Sequence, residues 1–390
     1  MKSFKMNSLQ RLVSFILIAV LLICTVGFAA GGWQSTNDEP DSGEVGDKTD
    51  KTDENTDGTP PSSDENKNND SADVGEDTQK PDDAEQPDEP VIEIPKYTSQ
   101  ITGLEVSSDV AFSTPVGYVL NPVMPLYGIS GSDLTLEFPI EDGSTRILSY
   151  TTNTAMLWKV GSLAPTRAFI SASSNFFGGI VVSYGNDDVV KYSAWDTSKI
   201  DLDISKISDC YYIENTLYIY TSKDLVDLAK QKSPSLNVST YKTAPYIFNE
   251  TEENILGTTK ASSVILPFSN SNETELYYSD SSEQYLYFKS GSRKVDMLNG
   301  KNISFTNIFV LFSNATTYEK SSGTELVIDT TSGGAGYYIS KGYMTEIRWS
   351  VDENGALEFK TLKGEKLTVN KGNAYISYYK ASNASKVTVA

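Results

Sequence analysis

Residues 31–95 hold 21 Asp/Glu against four Lys, and Trp33 is their only aromatic residue. Such a stretch cannot bury enough apolar surface to offset its ordering entropy, so a disordered, acidic, low-complexity linker is expected. A flexible chain of this length spans about 45 Å, and self-repulsion extends it further. Folding is thereby confined to the C-terminal three-quarters of the chain, roughly residues 96–390. Charge divides along the same boundary. The whole chain carries −20, residues 1–30 carry +3 and the linker −17, which leaves the folded part only −6. No basic face is expected there, which argues against a nucleic-acid partner.

Residues 1–30 read as a signal peptide or N-terminal membrane anchor. Lys2, Lys5 and Arg11 precede an apolar run from Leu12 to Phe28, and small residues follow it. Cleavage near Ala29 or Ala30 fits the small-x-small rule. The run is also long enough to span a bilayer uncleaved. In both cases the basic flank stays inside and the remainder is exported. Cys24 raises the question of lipidation. The frame Leu21-Leu22-Ile23-Cys24 has the leucine, but Ile23 is bulky where a small residue is required.

The chain has no histidine and only two cysteines, Cys24 and Cys210. Ser-His-Asp and Cys-His catalysis are excluded, as are the usual zinc sites. No metal and no cofactor is implied. Cys210 reads as a small core residue.

Within 96–250 the pattern is mixed α/β. Asp133–Pro139 alternates, with Leu134, Leu136 and Phe138 on one face and Thr135 and Glu137 on the other, which predicts a half-buried strand. Strands are expected at Thr145–Tyr150, Ala155–Val160, Ile180–Tyr184 and Leu217–Tyr220. Pro165 opens a predicted helix through Phe177, ended by Gly178-Gly179. A short amphipathic helix is expected after Thr221. Residues 255–380 show no helical period. Runs such as Ser263–Pro267, Gln284–Lys289, Ile303–Phe312, Met344–Trp349 and Ala374–Tyr379 alternate with Gly turns. An all-β sandwich or barrel is expected there. The fold class is therefore β-rich α+β.

The ordered motifs of the second region resemble the YerB-like family of bacterial putative lipoproteins. They are YLYFKSGSRKVDMLNGKNISFTNIFVLF from Tyr285, GGAGYYISKGYMTEIRWS from Gly333 and GEKLTVNKGNAYISYY from Gly364. NPVMPLYGIS (121–130), DLTLEFPIEDGSTR (133–146) and GSLAPTR (161–167) resemble its N-terminal domain. The resemblance covers about 120–380 and implies two domains, an envelope location and no assigned activity. The family carries His where this chain has Tyr184, and His-x-Asp where it has Lys294-Val295-Asp296.

Four residues stand out as ligand-binding candidates. Glu137, Thr145 and Arg146 keep the family pattern, and a carboxylate with a guanidinium on one sheet face can hold a sugar or a peptide carboxylate. The bland alternative is a cross-strand salt bridge. Arg167 sits at a helix start, where the dipole prefers anions, so it is expected to pair with a ligand or an acid. Asp296 either accepts a ligand hydroxyl or caps the turn Met297–Gly300. The expected function is an extracytoplasmic, non-catalytic binding or accessory module at the membrane or cell wall. Expected partners are wall glycan, an envelope protein, and the cytoplasmic membrane if residues 1–30 persist. The alternative is a carboxylate-dependent glycan hydrolase resting on Glu137 and neighbouring acids.

Overall fold

The computed structural model describes residues 96–154, 159–183, 199–201, 210–213, 216–219, 244–251, 257, 259–320 and 323–390. The N-terminal segment, Cys24, the acidic linker, Tyr184 and the helix expected after Thr221 lie outside them, as does most of the expected strand 155–160. Among the described residues no helix is long and apolar enough to cross a membrane.

The architecture is β-rich. A 14-stranded mixed sheet forms the central layer. Its middle runs through Gly334–Ser340, Asn307–Ser313, Ala374–Lys380, Leu134–Pro139, Thr145–Thr151 and Val116–Leu120. Strands from both predicted regions are neighbours: Ala374–Lys380 is parallel to Asn307–Ser313 on one side and to Leu134–Pro139 on the other. A six-stranded antiparallel sheet, with Ser263–Ser269, Asn272–Ser279 and Gln284–Lys289 at its centre, covers one face.

Alternation explains the layering. Inward from the small sheet come Val264, Leu266, Leu276, Tyr285 and Tyr287. They meet Tyr118, Leu120, Ile308, Val310, Tyr375 and Tyr379 of the large sheet in one apolar cluster. The other face of the large sheet presents Leu134, Leu136, Phe138, Leu148, Phe309, Ile376 and Tyr378. These pack with Phe169, Ile170, Phe176 and Phe177 of two short helices and with Leu326 and Ile328 of a hairpin. Central strands covered on both faces are buried at every residue, as Leu134–Pro139 and Asn307–Ser313 are.

The structure departs from the sequence-based expectations at three places. The helix expected over 165–177 is two short helices, Ala168–Ala172 and Ser174–Phe177, with Arg167 as the first cap. The Ser173 hydroxyl donates back to the Phe169 carbonyl, and the backbone N–H groups of Ser173 and Phe176 reach only three residues back. The strand expected over Ile303–Phe312 is broken at Thr306. Ser304–Phe305 pairs with Tyr285–Leu286 of the small sheet, and Asn307–Ser313 belongs to the large one. Thr306 is thus the corner where the chain changes sheets. Val116–Leu120 is a strand that Pro115 and Gly117 concealed.

Because one strand from the C-terminal half is locked between the two halves, the described residues from 96 onward should unfold in a single cooperative step. Calorimetry should give one peak whose van't Hoff and calorimetric enthalpies agree. Two resolved peaks would contradict this.

Candidate functional site

Glu137 does not face solvent. The side of its strand read as polar and exposed is covered by the small sheet, and both Thr135 and Glu137 are fully buried. The Glu137 carboxylate takes five hydrogen bonds. Oε1 accepts from Lys289 Nζ at 2.7 Å and Thr145 Oγ1 at 2.5 Å. Oε2 accepts from Tyr375 OH at 2.6 Å, Thr274 Oγ1 at 2.9 Å and Tyr287 OH at 3.3 Å. Burial alone would raise the Glu137 carboxyl. The Lys289 charge and the bonds from Lys289, Thr145 and Tyr375 outweigh it and hold the group below the ordinary glutamate value. Burial, and then the Glu137 charge, push Tyr287 and Tyr375 well up, so both remain neutral donors. Enclosed and ionised, Glu137 cannot protonate a leaving group. The hydrolase reading that rested on it is corrected accordingly.

Arg146 is not its partner. Phe138 pairs with Arg146 and Glu137 with Ile147, so the guanidinium lies on the opposite face of the sheet. Its Nη1 donates to the Thr145 carbonyl, and Asp142 and Glu141 are the acids nearby. Arg167 forms a two-pronged ion pair with Glu141: Nη2 meets Oε1 and Nε meets Oε2 at 3.1 Å. That satisfies the need for an acid at this helix start.

Asp296 is fully buried and does more than cap its own turn. Oδ1 accepts from the N–H of Leu298 and of Gly128, each at 2.9 Å. Oδ2 accepts from Ser130 N at 2.9 Å and Ser130 Oγ at 2.6 Å. It thereby ties the turn at 296–300 to the 3-10 helix Ile129–Gly131. Lys294, two residues earlier, donates to the carbonyls of Val123 and Met124.

A cleft lies beside that helix. It has a volume of about 640 Å³. Three of its lining residues arise from one register relation. Asn307, Ala374 and Leu134 begin three adjacent parallel strands and stand side by side. The residue before each, Thr306, Asn373 and Asp133, therefore forms a row along the edge of the sheet. The backbone ladder continues through this row, from Asn307 N to Asn373 O and from Ala374 N to Asp133 O.

The floor is polar and cross-linked. Asn373 Oδ1 accepts from Thr306 N at 3.1 Å, its Nδ2 donates to the Ser304 carbonyl, and Gln284 Nε2 donates to Thr306 Oγ1. Gly372 is required here. Its φ is +137°, a Cβ would overlap Thr306, and its N–H donates to Thr102 O at 2.8 Å. Asp133 Oδ2 accepts from Thr152 N and Oγ1, each at 2.7 Å. Burial nevertheless raises its carboxyl above the ordinary aspartate value, against those two bonds. Leu104, Val106 and Val110 are the large apolar side chains of the lining, and Glu105 and Lys371 stand among the lining residues.

Of the four residues singled out from sequence, only Asp296 comes near the cleft, through Ser130. Asp133 and Asn373 were missed as site residues. The first was read as a strand start and the second fell just after a Gly turn. Among the described residues no group of three or more His, Cys, Asp or Glu is placed to hold a metal.

Residues 264–376 match the model of the C-terminal domain of a family described as protein of unknown function (DUF3048). The crystal structure of YerB protein from Bacillus subtilis is similar, with a TM-score of 0.63 and 22% identity. The alignment covers 76% of this chain and 100% of that one. At that identity the likeness is one of fold. No curated protein matches the chain. The two findings support the resemblance to a YerB-like family of unknown function.

Removing one partner of the buried pair should be costly, because the other charge is left without compensation. Lys289→Met or Glu137→Gln is expected to lower unfolding stability by about 3–5 kcal/mol in urea titrations. The double variant Glu137→Leu/Lys289→Met should recover much of that loss. The folded pKa of Glu137 lies below its ordinary 4.5. Its contribution is therefore present above that value and lost as pH falls through the folded pKa. The double variant should show a shallower decline of stability in acid than the wild type. Equal slopes would rule out this role.

Proposed function

We propose that the chain is a non-catalytic binding module working on the outer side of the cytoplasmic membrane, with a polar component of the cell envelope held in the cleft. The cleft's composition carries this reading. Hydroxyl and amide side chains supply most of its polar groups, and its two carboxylates are both engaged, Glu105 with Lys96 and Asp133 with Thr152. Ligand sites commonly combine an apolar wall with a few placed polar groups, and this one does. The apolar N-terminal segment and the acidic linker support export and reach from the membrane surface.

Full-length protein mixed with purified cell-wall sacculi is expected to co-sediment without releasing soluble fragments. Release that is abolished by Asp133→Asn would establish a hydrolase instead. No co-sedimentation would remove the wall as the partner.

The mature N-terminus carries the location. Mass spectrometry of the protein from its native cells is expected to find a chain beginning near Ala30. Intact Met1 would make residues 1–30 an anchor, and diacylglycerol on Cys24 would make the protein a lipoprotein.

A further inference from the structure

The cleft's unengaged groups narrow the ligand class. Asp133 Oδ2 is fixed by Thr152, Oδ1 meets no hydrogen-bond donor among the described residues, and Asp133 lines the cleft. The Asn153 amide and the Ser107 hydroxyl also line the cleft without a side-chain partner among the described residues; Ser107 caps its short helix without a side-chain bond. These groups offer one strong acceptor, one group that donates and accepts, and one hydroxyl. Leu104, Val106 and Val110, also in the lining, present only hydrocarbon.

Charge excludes other classes. The lining carries Asp133 and Glu105 against a single cation, Lys371, so an anionic ligand meets no excess of positive charge. A metal is not favoured either, since the acids do not cluster. An extended peptide would add to a sheet edge through its backbone. The row Thr306–Asn373–Asp133 is instead the end of a sheet whose backbone groups are already paired.

From this we infer that the cleft takes a saccharide, with Asp133 Oδ1 and the Asn153 amide receiving hydroxyls of one ring and the Leu104–Val106–Val110 wall covering its C–H face. The inference rests on the binding reading above and specifies its ligand. A pyranose ring has two such faces, polar hydroxyls at its rim and hydrocarbon on its plane. Adjacent strands stand about 4.8 Å apart, so the row Thr306–Asn373–Asp133 offers polar groups at intervals close to the length of a ring. The partly buried Asp133 gains from donors that a hydroxylated ligand brings, because an unengaged acceptor in a desolvated site is costly.

The test separates this inference from the reading beneath it. Full-length protein would be titrated calorimetrically with peptide-free oligosaccharides released from sacculi, and separately with free stem peptides, alongside sacculus co-sedimentation. The oligosaccharide is expected to bind and the peptide not to. Asp133→Ala should weaken oligosaccharide binding by about 10- to 100-fold. Because Asp133 also holds Thr152, Asn153→Ala serves as a second variant. It removes a side chain with no described partner and should weaken binding while leaving the thermal midpoint unchanged. Sacculus binding with no oligosaccharide binding, or oligosaccharide binding untouched by both variants, would overturn the saccharide inference alone. Loss of sacculus binding in the wild type would overturn the underlying reading.

Discussion

A buried ion pair, Glu137 with Lys289, joins the two sheets. Each charge lies in the layer between them with essentially no solvent contact. Transfer of either alone into such a place would be strongly unfavourable. What makes the pair tolerable is the number of donors around it. Thr145 comes from the large sheet beside Glu137, and Tyr375 from the parallel strand on its other side. Thr274 and Tyr287 come from the small sheet. The small sheet can dock in only one register if its three donors, Lys289, Thr274 and Tyr287, are to reach the carboxylate. Apolar packing of Val264, Leu266 and Leu276 supplies area but tolerates sliding; the ion pair does not. Specificity of docking is thus the role to which this geometry is suited.

The docking sets the cleft. Once the small sheet is seated, Gln284 at the start of one of its strands reaches Thr306 at the corner between sheets. That corner is in register with Asn373 and Asp133. The site is therefore built from residues at strand starts, whose positions are fixed by the sheet rather than by long loops. Sites on rigid elements hold their polar groups with less freedom to lose on binding. Gly372 lets the chain enter the central strand while touching Thr306 and Thr102, so the floor closes without a gap.

Much of the fold was legible in the sequence and the site mostly was not, for a physical reason. Alternation in Asp133–Pro139 reveals a strand with two unlike faces. It does not reveal what covers the second face. Glu137 looked solvated because its partners are remote: Tyr287 is 150 residues away, Lys289 is 152 and Tyr375 is 238. One signal was present. In Gln284–Lys289 the buried positions are Tyr285, Tyr287 and Lys289, so a lysine falls on the inward period of a strand. A charge at such a position asks for an opposite charge across the core, and Glu137 is the matching oddity on the other sheet. The row Thr306–Asn373–Asp133 had no comparable signal, because parallel neighbours are far apart in sequence and their register depends on the whole sheet.

Two charged side chains two residues apart, Lys294 and Asp296, brace the edge of this arrangement. Asp296 holds the N–H groups of Gly128 and Ser130, while Lys294 holds the carbonyls of Val123 and Met124. Both clamp the same stretch, residues 123–130, whose end lines the cleft. The Lys294 ammonium has three donors and here spans two carbonyls. Burial lowers the Lys294 pKa, which is tolerated because both of its acceptors are neutral carbonyls that a neutral amine can still bond. Lys294 thus braces the cleft wall, a role that needs only a donor.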